Sequence, residues 1–243
     1  MTIKKIFFYL FVLSFPLFAQ YQDLRFNHIT TENGLSKSSV TCILQDRQGF
    51  IWVGTFNGLN RYDGYDFAVY QYVQDDQRSL SHNYISSILE DYKGRLWVGT
   101  SDGLNCYDRL SDSFKRYRYD KNKSGSISDN QIEVIFQDRS KQLWVGTRNK
   151  GLNLFNPQTE TFIHYYSQKN NPNSLSSNFI QTMFQDSRGN LWIGHRNGAV
   201  DLFDKKSKKF IRLSLNGKQL SYFAIRSIVE SQDGSVWLGT QGS

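Results

Sequence analysis

Proline and cysteine are scarce in this chain, which holds three of the first and two of the second in 243 residues. Two cysteines close one bridge at most, so no disulfide framework can hold the fold, and their spacing fits no metal-ligand pattern. No segment keeps a 3.6-residue apolar period, which excludes a stack of helical pairs. After residue 18 there is no further long apolar run. Charge of one sign is lacking too: 29 Lys and Arg face 22 Asp and Glu, a net of +7 spread over many loops. That modest excess does not make the basic face of a nucleic-acid binder.

The N-terminus stands apart from the rest. Lys4 and Lys5 precede an apolar run from Ile6 to Phe18, followed by Ala19 and Gln20. A basic start, a short apolar stretch and a small residue predict a secretory signal peptide over 1–19, cleaved after Ala19. The run is shorter than the roughly 20 residues of a membrane-spanning helix. Losing Lys4 and Lys5 with it takes the net charge from +7 to +5. The expected product is exported to the periplasm and soluble.

What the chain has in abundance is aromatic residues, at 15%, and a repeated phrase that contains every tryptophan. It reads Ile51-Trp52-Val53-Gly54-Thr55, Leu96-Trp97-Val98-Gly99-Thr100, Leu143-Trp144-Val145-Gly146-Thr147, Leu191-Trp192-Ile193-Gly194-His195 and Val236-Trp237-Leu238-Gly239-Thr240. The tryptophans recur at intervals of 45, 47, 48 and 45 residues, and a period of this size marks a repeat architecture. Each unit opens with an apolar strand such as Val40–Leu44 and a tight turn such as Asp46-Arg47-Gln48-Gly49. There Asp accepts backbone hydrogen bonds and Gly supplies positive φ. Lys141 replaces that Gly in the third copy, which predicts a strained or altered turn, and Ser231 replaces the Asp in the fifth. The tryptophan strand follows, then Asn57-Gly58, Asp102-Gly103, Asn149-Lys150-Gly151 or Asn197-Gly198, which are hairpin signals. A third strand (Leu59–Tyr62 in the first copy) and a fourth (Phe67–Tyr70) complete the unit.

Four antiparallel strands joined by short hairpins, then a longer loop, describe one blade of an all-β propeller. The expected blades cover about 37–72, 82–117, 129–166 and 177–213, with a half blade at 222–243. Phe26–Ile29 matches the end of a repeat and is expected to be an orphan outer strand. The ring is thus incomplete, four and a half blades cut from a longer propeller. The tryptophans are expected to pack between neighbouring blades, with the glycine after each allowing close approach. Cys42 and Cys106 lie in different repeats and on different strands of the repeat. A bridge needs Cα atoms within about 7 Å, so two separate buried thiols are expected.

The pattern Asp-x-x-Gly-x-(Ile/Leu)-Trp-(Val/Ile)-Gly-Thr-x-x-Gly-Leu-Asn-x-Tyr-Asp resembles the two-component regulator propeller repeat. Residues 45–63 match it almost letter for letter. The stretch Ile29-Thr30-Thr31-Glu32-Asn33-Gly34-Leu35-Ser36 resembles the start of the mature sensor region in hybrid two-component systems of Bacteroidetes-type bacteria. That resemblance implies the periplasmic sensor of a membrane-anchored, homodimeric hybrid histidine kinase responding to polysaccharide breakdown products. Such proteins carry two propellers, a β-sandwich domain, a membrane helix, a kinase core, a receiver and a DNA-binding domain. No phospho-accepting histidine helix and no nucleotide-binding glycine box occurs here, so the chain itself is expected to be no enzyme and to need no cofactor or metal.

Function is sought where one repeat departs from its neighbours. The third blade lengthens its turn to Arg148-Asn149-Lys150-Gly151, and the fourth has His195-Arg196-Asn197 where Thr-x-(Asn/Asp) is the rule. Arg148, Lys150, His195 and Arg196 are expected to form a basic pocket for an anionic oligosaccharide, gripping a carboxylate or sulfate. Phe56 and Tyr84, at related positions, would stack on sugar rings, whereas solvated turn residues and buried packing are the plain alternatives. His28, His82 and His164 are scattered and expected to be unremarkable. The repeat-wide Asp46, Asp91, Asp138 and Asp186 are structural, and no nucleophile–base set stands out. Two further readings are a propeller lyase or glycosidase acting on polysaccharides, and a non-catalytic surface for another protein.

Overall fold

The computed structural model describes residues 26, 28–215 and 218–242, so the expected signal peptide lies outside the described residues. Four antiparallel four-stranded sheets follow one another along the chain, each meandering in sequence order. The first comprises β1 (Val40–Gln45), β2 (Ile51–Thr55), β3 (Gly58–Tyr62) and β4 (Phe67–Tyr70). The second comprises β5 (Ile85–Glu90), β6 (Leu96–Thr100), β7 (Gly103–Asp108) and β8 (Ser113–Tyr117). The third is β9 (Ile132–Gln137), β10 (Leu143–Thr147), β11 (Leu152–Asn156) and β12 (Thr161–Tyr165). The fourth is β13 (Ile180–Gln185), β14 (Leu191–His195), β15 (Val200–Asp204) and β16 (Lys209–Arg212). A small hairpin, β17 (Ser214–Leu215) and β18 (Lys218–Gln219), precedes a two-stranded sheet of β19 (Ile225–Glu230) and β20 (Val236–Thr240). First strands pack in series, β1 on β5, β5 on β9, β9 on β13 and β13 on β19. This is the propeller arrangement, with the sheets not closed into a ring.

Each sheet is two sided, so its apolar residues can be buried only against the next sheet. Accordingly there are four cores, one per seam. Trp52 lies in a cluster with Leu96, Tyr107 and Phe114 of the second blade. Trp97 is grouped with Ile132, Phe155 and Phe162 of the third, and Trp144 with Ile180, Phe203 and Phe210 of the fourth. The indoles meet the next blade edge-on, at 5.1 Å from the rings of Tyr107, Phe155 and Phe203, the geometry favoured by aromatic quadrupoles. The glycine two residues later is required by the same seam. A Cβ on Gly99 would lie 2.7 Å from Ile132, and one on Gly146 2.7 Å from Ile180.

The turn aspartate does more than shape its turn. In the first blade Asp46 Oδ1 accepts the N–H groups of Gln48 and Phe50, both at 3.0 Å, and Oδ2 accepts the indole N–H of Trp52 at 2.8 Å. Asp91, Asp138 and Asp186 receive Trp97, Trp144 and Trp192 in the same way. A buried carboxylate needs such partners. Two also receive a cation across the seam, Asp46 from Arg109 and Asp138 from Lys205, each at 2.9 Å. A backbone tie repeats beside it. The N–H groups of Arg47, Tyr92, Arg139 and Ser187 donate to the side chains of Glu90, Gln137, Gln185 and Glu230 on the following blade.

Lys141 adopts φ +66°, the left-handed conformation its glycine counterparts hold without a Cβ penalty. Cys42 and Cys106 are free and half-buried, and burial pushes both thiols up to about 11. The expected orphan outer strand at 26–29 is not seen among its described residues. Phe26, His28 and Ile29 take no regular structure, and Phe26 is 81% exposed. An outer strand pairs with the free edge of a third strand, and the sheet of β19 and β20 has none to offer. Instead the chain enters through a 3-10 turn, Thr31–Asn33, closed by reciprocal bonds between Thr30 and Asn33.

Candidate functional site

The loops entering the first strands and the turns after the second strands share one face. The N–H groups of Phe56, Ser101, Arg148, Arg196 and Gln241 donate to the carbonyls of Ser39, Tyr84, Gln131, Phe179 and Ala224, respectively. This repeated bond fixes two rows of side chains around the axis. One row is Ser39, Tyr84, Gln131, Phe179, Ala224; the other is Phe56, Ser101, Arg148, Arg196, Gln241. This bond is shared by the four blades and the last sheet, so the two rows differ from blade to blade in their side chains.

Within the rows, unlike side chains cluster. Arg148 and Arg196, both exposed, hold their guanidinium carbons 5.6 and 5.3 Å from the ring centroid of the half-buried Phe179. Two cations share one aromatic surface, which places like charges side by side in water. Elsewhere in the same rows Phe56, 54% exposed, packs at 5.1 Å against Tyr84. The face thus offers a cationic end and an aromatic end.

His195 is elsewhere in character. It is fully buried, its Nε2 2.8 Å from Oδ2 of the equally buried Asp201. The first three blades show what it replaces. There Thr55, Thr100 and Thr147 stand beside Asn60, Asn105 and Asn153, and each Asn amide donates to a backbone carbonyl within its blade. The same Asn oxygens accept the N–H of Ser36, Ser81 and Ser128 from the incoming loop. In the fourth blade Asp201 takes the Asn role toward Ser176, and His195 takes the Thr place. The exchange is coupled: a carboxylate in that slot needs a donor, and the imidazole supplies one. Ser176 bonds Asp201 rather than the imidazole, whose Nδ1 is buried without a partner. A serine–histidine–carboxylate set is present, but its hydroxyl is not activated by the histidine, and the ring is shut from solvent.

Lys150 also separates from the arginines. It lines a cleft of about 670 Å³ on the third blade, together with Tyr119, Asp129, His164, Tyr166 and Asn178. The four basic residues expected in one pocket therefore divide into a surface pair, a buried histidine and a lysine in its own cleft. The lining role of His164 and the position of Phe179 between the arginines were not read from the sequence. Phe179 was detectable in principle, since it aligns with Tyr84. A second cleft, of about 430 Å³, opens on the opposite face around Tyr92, Lys141 and Phe155.

The family model for the two component regulator propeller matches residues 34–57, 79–102, 126–149 and 174–197. Histidine kinase P4 of Formosa agariphila is 43% identical over 68 residues, which are 28% of this chain and 5% of that protein. The extracellular domain of a hybrid two-component system from B. thetaiotaomicron superposes with a TM-score of 0.76 at 28% identity, covering 88% of this chain and 29% of that one. A second such domain from the same organism gives 0.69 at 26%, covering 84% and 28%. The chain therefore spans less than a third of the solved relatives. No helix among the described residues is long and apolar enough to cross a membrane. By these four matched stretches and its sheet order the chain carries two-component regulator propeller repeats, and it is similar to extracellular domains of hybrid two-component systems.

Proposed function

We propose that this chain is a periplasmic ligand-sensing module of a hybrid two-component signalling protein, and that it recognises acidic products of polysaccharide breakdown. The observation that carries the reading is the Arg148–Phe179–Arg196 cluster. Guanidinium forks match carboxylate and sulfate oxygens, and an aromatic ring beneath them holds their planes in place. Phe56 and Tyr84 supply an apolar wall on the same face for the sugar ring itself. His195 acts behind this face, as the buried support of the fourth blade. The chain binds without turnover, and kinase activity belongs to the parent protein, a homodimer anchored in the inner membrane.

Titration calorimetry with neutral, uronic-acid and sulfated oligosaccharides tests this. Saturable binding of acidic members, with the oligosaccharide recovered intact, is the expected result. Consumption of the oligosaccharide would favour a lyase or glycosidase, and absence of binding across the panel would leave the protein-interaction reading in its place.

A further inference from the structure

The Lys150 cleft has a history that can be read against the two preceding blades. In the second blade, Asp102 lies opposite Arg118 in an ion pair, and the Asn130 amide donates to Asp102 at 2.9 Å. In the first, the Asn57 backbone carbonyl accepts from Gln71 at 2.9 Å and its side-chain oxygen from Asn83 at 3.4 Å. Both blades close this spot with matched donors and acceptors.

The third blade breaks the match at two positions. Lys150 stands where Asn57 and Asp102 stand, because its N–H donates to Thr147 Oγ1 as theirs do to Thr55 and Thr100. Tyr166 stands in the register of Arg118, one residue beyond the fourth strand. The acceptor has become a cation and the cation an aromatic ring. Asn178 keeps its carbonyl bond, accepting Ser167 N–H at 2.7 Å, but Lys150 offers its amide no acceptor. Two donors, the ammonium and the amide, thus line the cleft where the other blades pair a donor with an acceptor.

The remaining walls complete the chemistry. Tyr119 and Tyr166 are each about half exposed, at 54% and 51%, and flat rings of this kind stack on sugar faces. Asp129 already accepts from Asn149 and Gln131, and His164 Nε2 donates to Ser126 O at 2.7 Å, which leaves lone-pair acceptors for hydroxyls. A volume of about 670 Å³ is ample for one or two sugar rings.

We infer that this cleft is a second binding site, distinct from the Arg148–Arg196 cluster, for the anionic group of an acidic pyranose held between Lys150 and Asn178 with its ring against Tyr166. The inference rests on the sensing reading for the ligand's origin, and on the cleft alone for its chemistry.

Calorimetry or ligand-observed NMR with glucuronate, glucose 6-sulfate and glucose tests it on the full chain. The expected result is at least tenfold tighter binding of one or both acids than of glucose. Glucuronate alone would identify a carboxylate site and the sulfate alone a sulfate site, both in favour. Lys150→Ala should lose about tenfold for the acids and little for glucose, and Tyr166→Ala should weaken all three. Equal binding of glucose and the acids, no binding of any, or acid binding untouched in Lys150→Ala with an unaltered melting temperature would overturn it. Acid monosaccharide binding that survives in Lys150→Ala but fails in Arg148→Ala/Arg196→Ala would sink this inference and leave the sensing reading standing.

Discussion

The seam between the second and third blades and the last sheet of the chain carry the same phrase with opposite results. Trp97 has no exposed surface, donates its indole N–H to Asp91 at 2.9 Å and meets Phe155 edge-on at 5.1 Å. Trp237, in an equivalent strand, is 65% exposed. Its turn has Ser231 in place of the aspartate, and no further blade lies against it. The phrase is therefore not self-sufficient. It encodes half of an interface, and the other half is an isoleucine and an aromatic ring roughly one repeat further along the chain.

The strongest way to break this comparison is to truncate both indoles. Trp97→Ala should cost about 3–5 kcal/mol, the range for a large buried aromatic, whereas Trp237→Ala should stay within about 0.5 kcal/mol, as exposed sites do. Urea unfolding followed by circular dichroism measures both, and equal losses would mean that the seam is not the unit of stability.

A second test sharpens the comparison inside the fourth blade. His195→Thr removes a partner from buried Asp201 and should cost about 2–4 kcal/mol. Adding Asp201→Asn restores the pairing of the first three blades, so the double variant should recover most of that loss. A double-mutant cycle reports the coupling; additive losses would show that the two residues were exchanged independently.

Acid should loosen the seams braced by the turn aspartates Asp46, Asp91 and Asp186. Burial alone would raise the carboxyls of Asp46, Asp91 and Asp186, but the indole and other hydrogen bonds, with Arg109 and Arg95 beside the first two, outweigh it and hold all three below the usual range. A lowered folded pKa gives stability that is complete above the unfolded value, about 3.9, and lost as pH falls through the folded one. Unfolding free energy should decline below about pH 4, less steeply in Asp91→Asn. An unchanged slope in that variant would remove Asp91 from the account.

The smallest effect lies in the third turn. Lys141→Gly should stabilise by about 1 kcal/mol, since glycine holds φ +66° without the strain. The lost contact of the ammonium with the Tyr92 ring, at 4.9 Å, works against it. A lowered melting temperature would show that this contact outweighs the backbone strain.

Strand order and seam were legible because both are written locally: alternation, Asp and Gly at turns, and a tryptophan at fixed register. The aspartate's bond to the tryptophan was legible only as a coincidence of period, since a turn signal explains Asp46 by itself. The candidate site was harder. His195 reads as a basic residue on a turn, and only Asp201, six residues on and on another strand, reveals that it is buried. Arg148 and Lys150 are two apart yet face different surroundings, because the inserted Asn149 shifts Lys150 into the register of Asp102 and hands it to the cleft. Phe26–Ile29 matched the repeat, yet its described residues Phe26, His28 and Ile29 pair with no strand, which sequence periodicity cannot register.

The central claim is that residues shared by the repeats hold the blades together and residues unique to one blade bind the ligand. Its most direct test is Arg148→Ala/Arg196→Ala, measured for melting temperature and for binding of the tightest acidic oligosaccharide in the panel. The account predicts an unchanged melting temperature and a loss of affinity of tenfold or more. Full affinity in a normally folded double variant would contradict it.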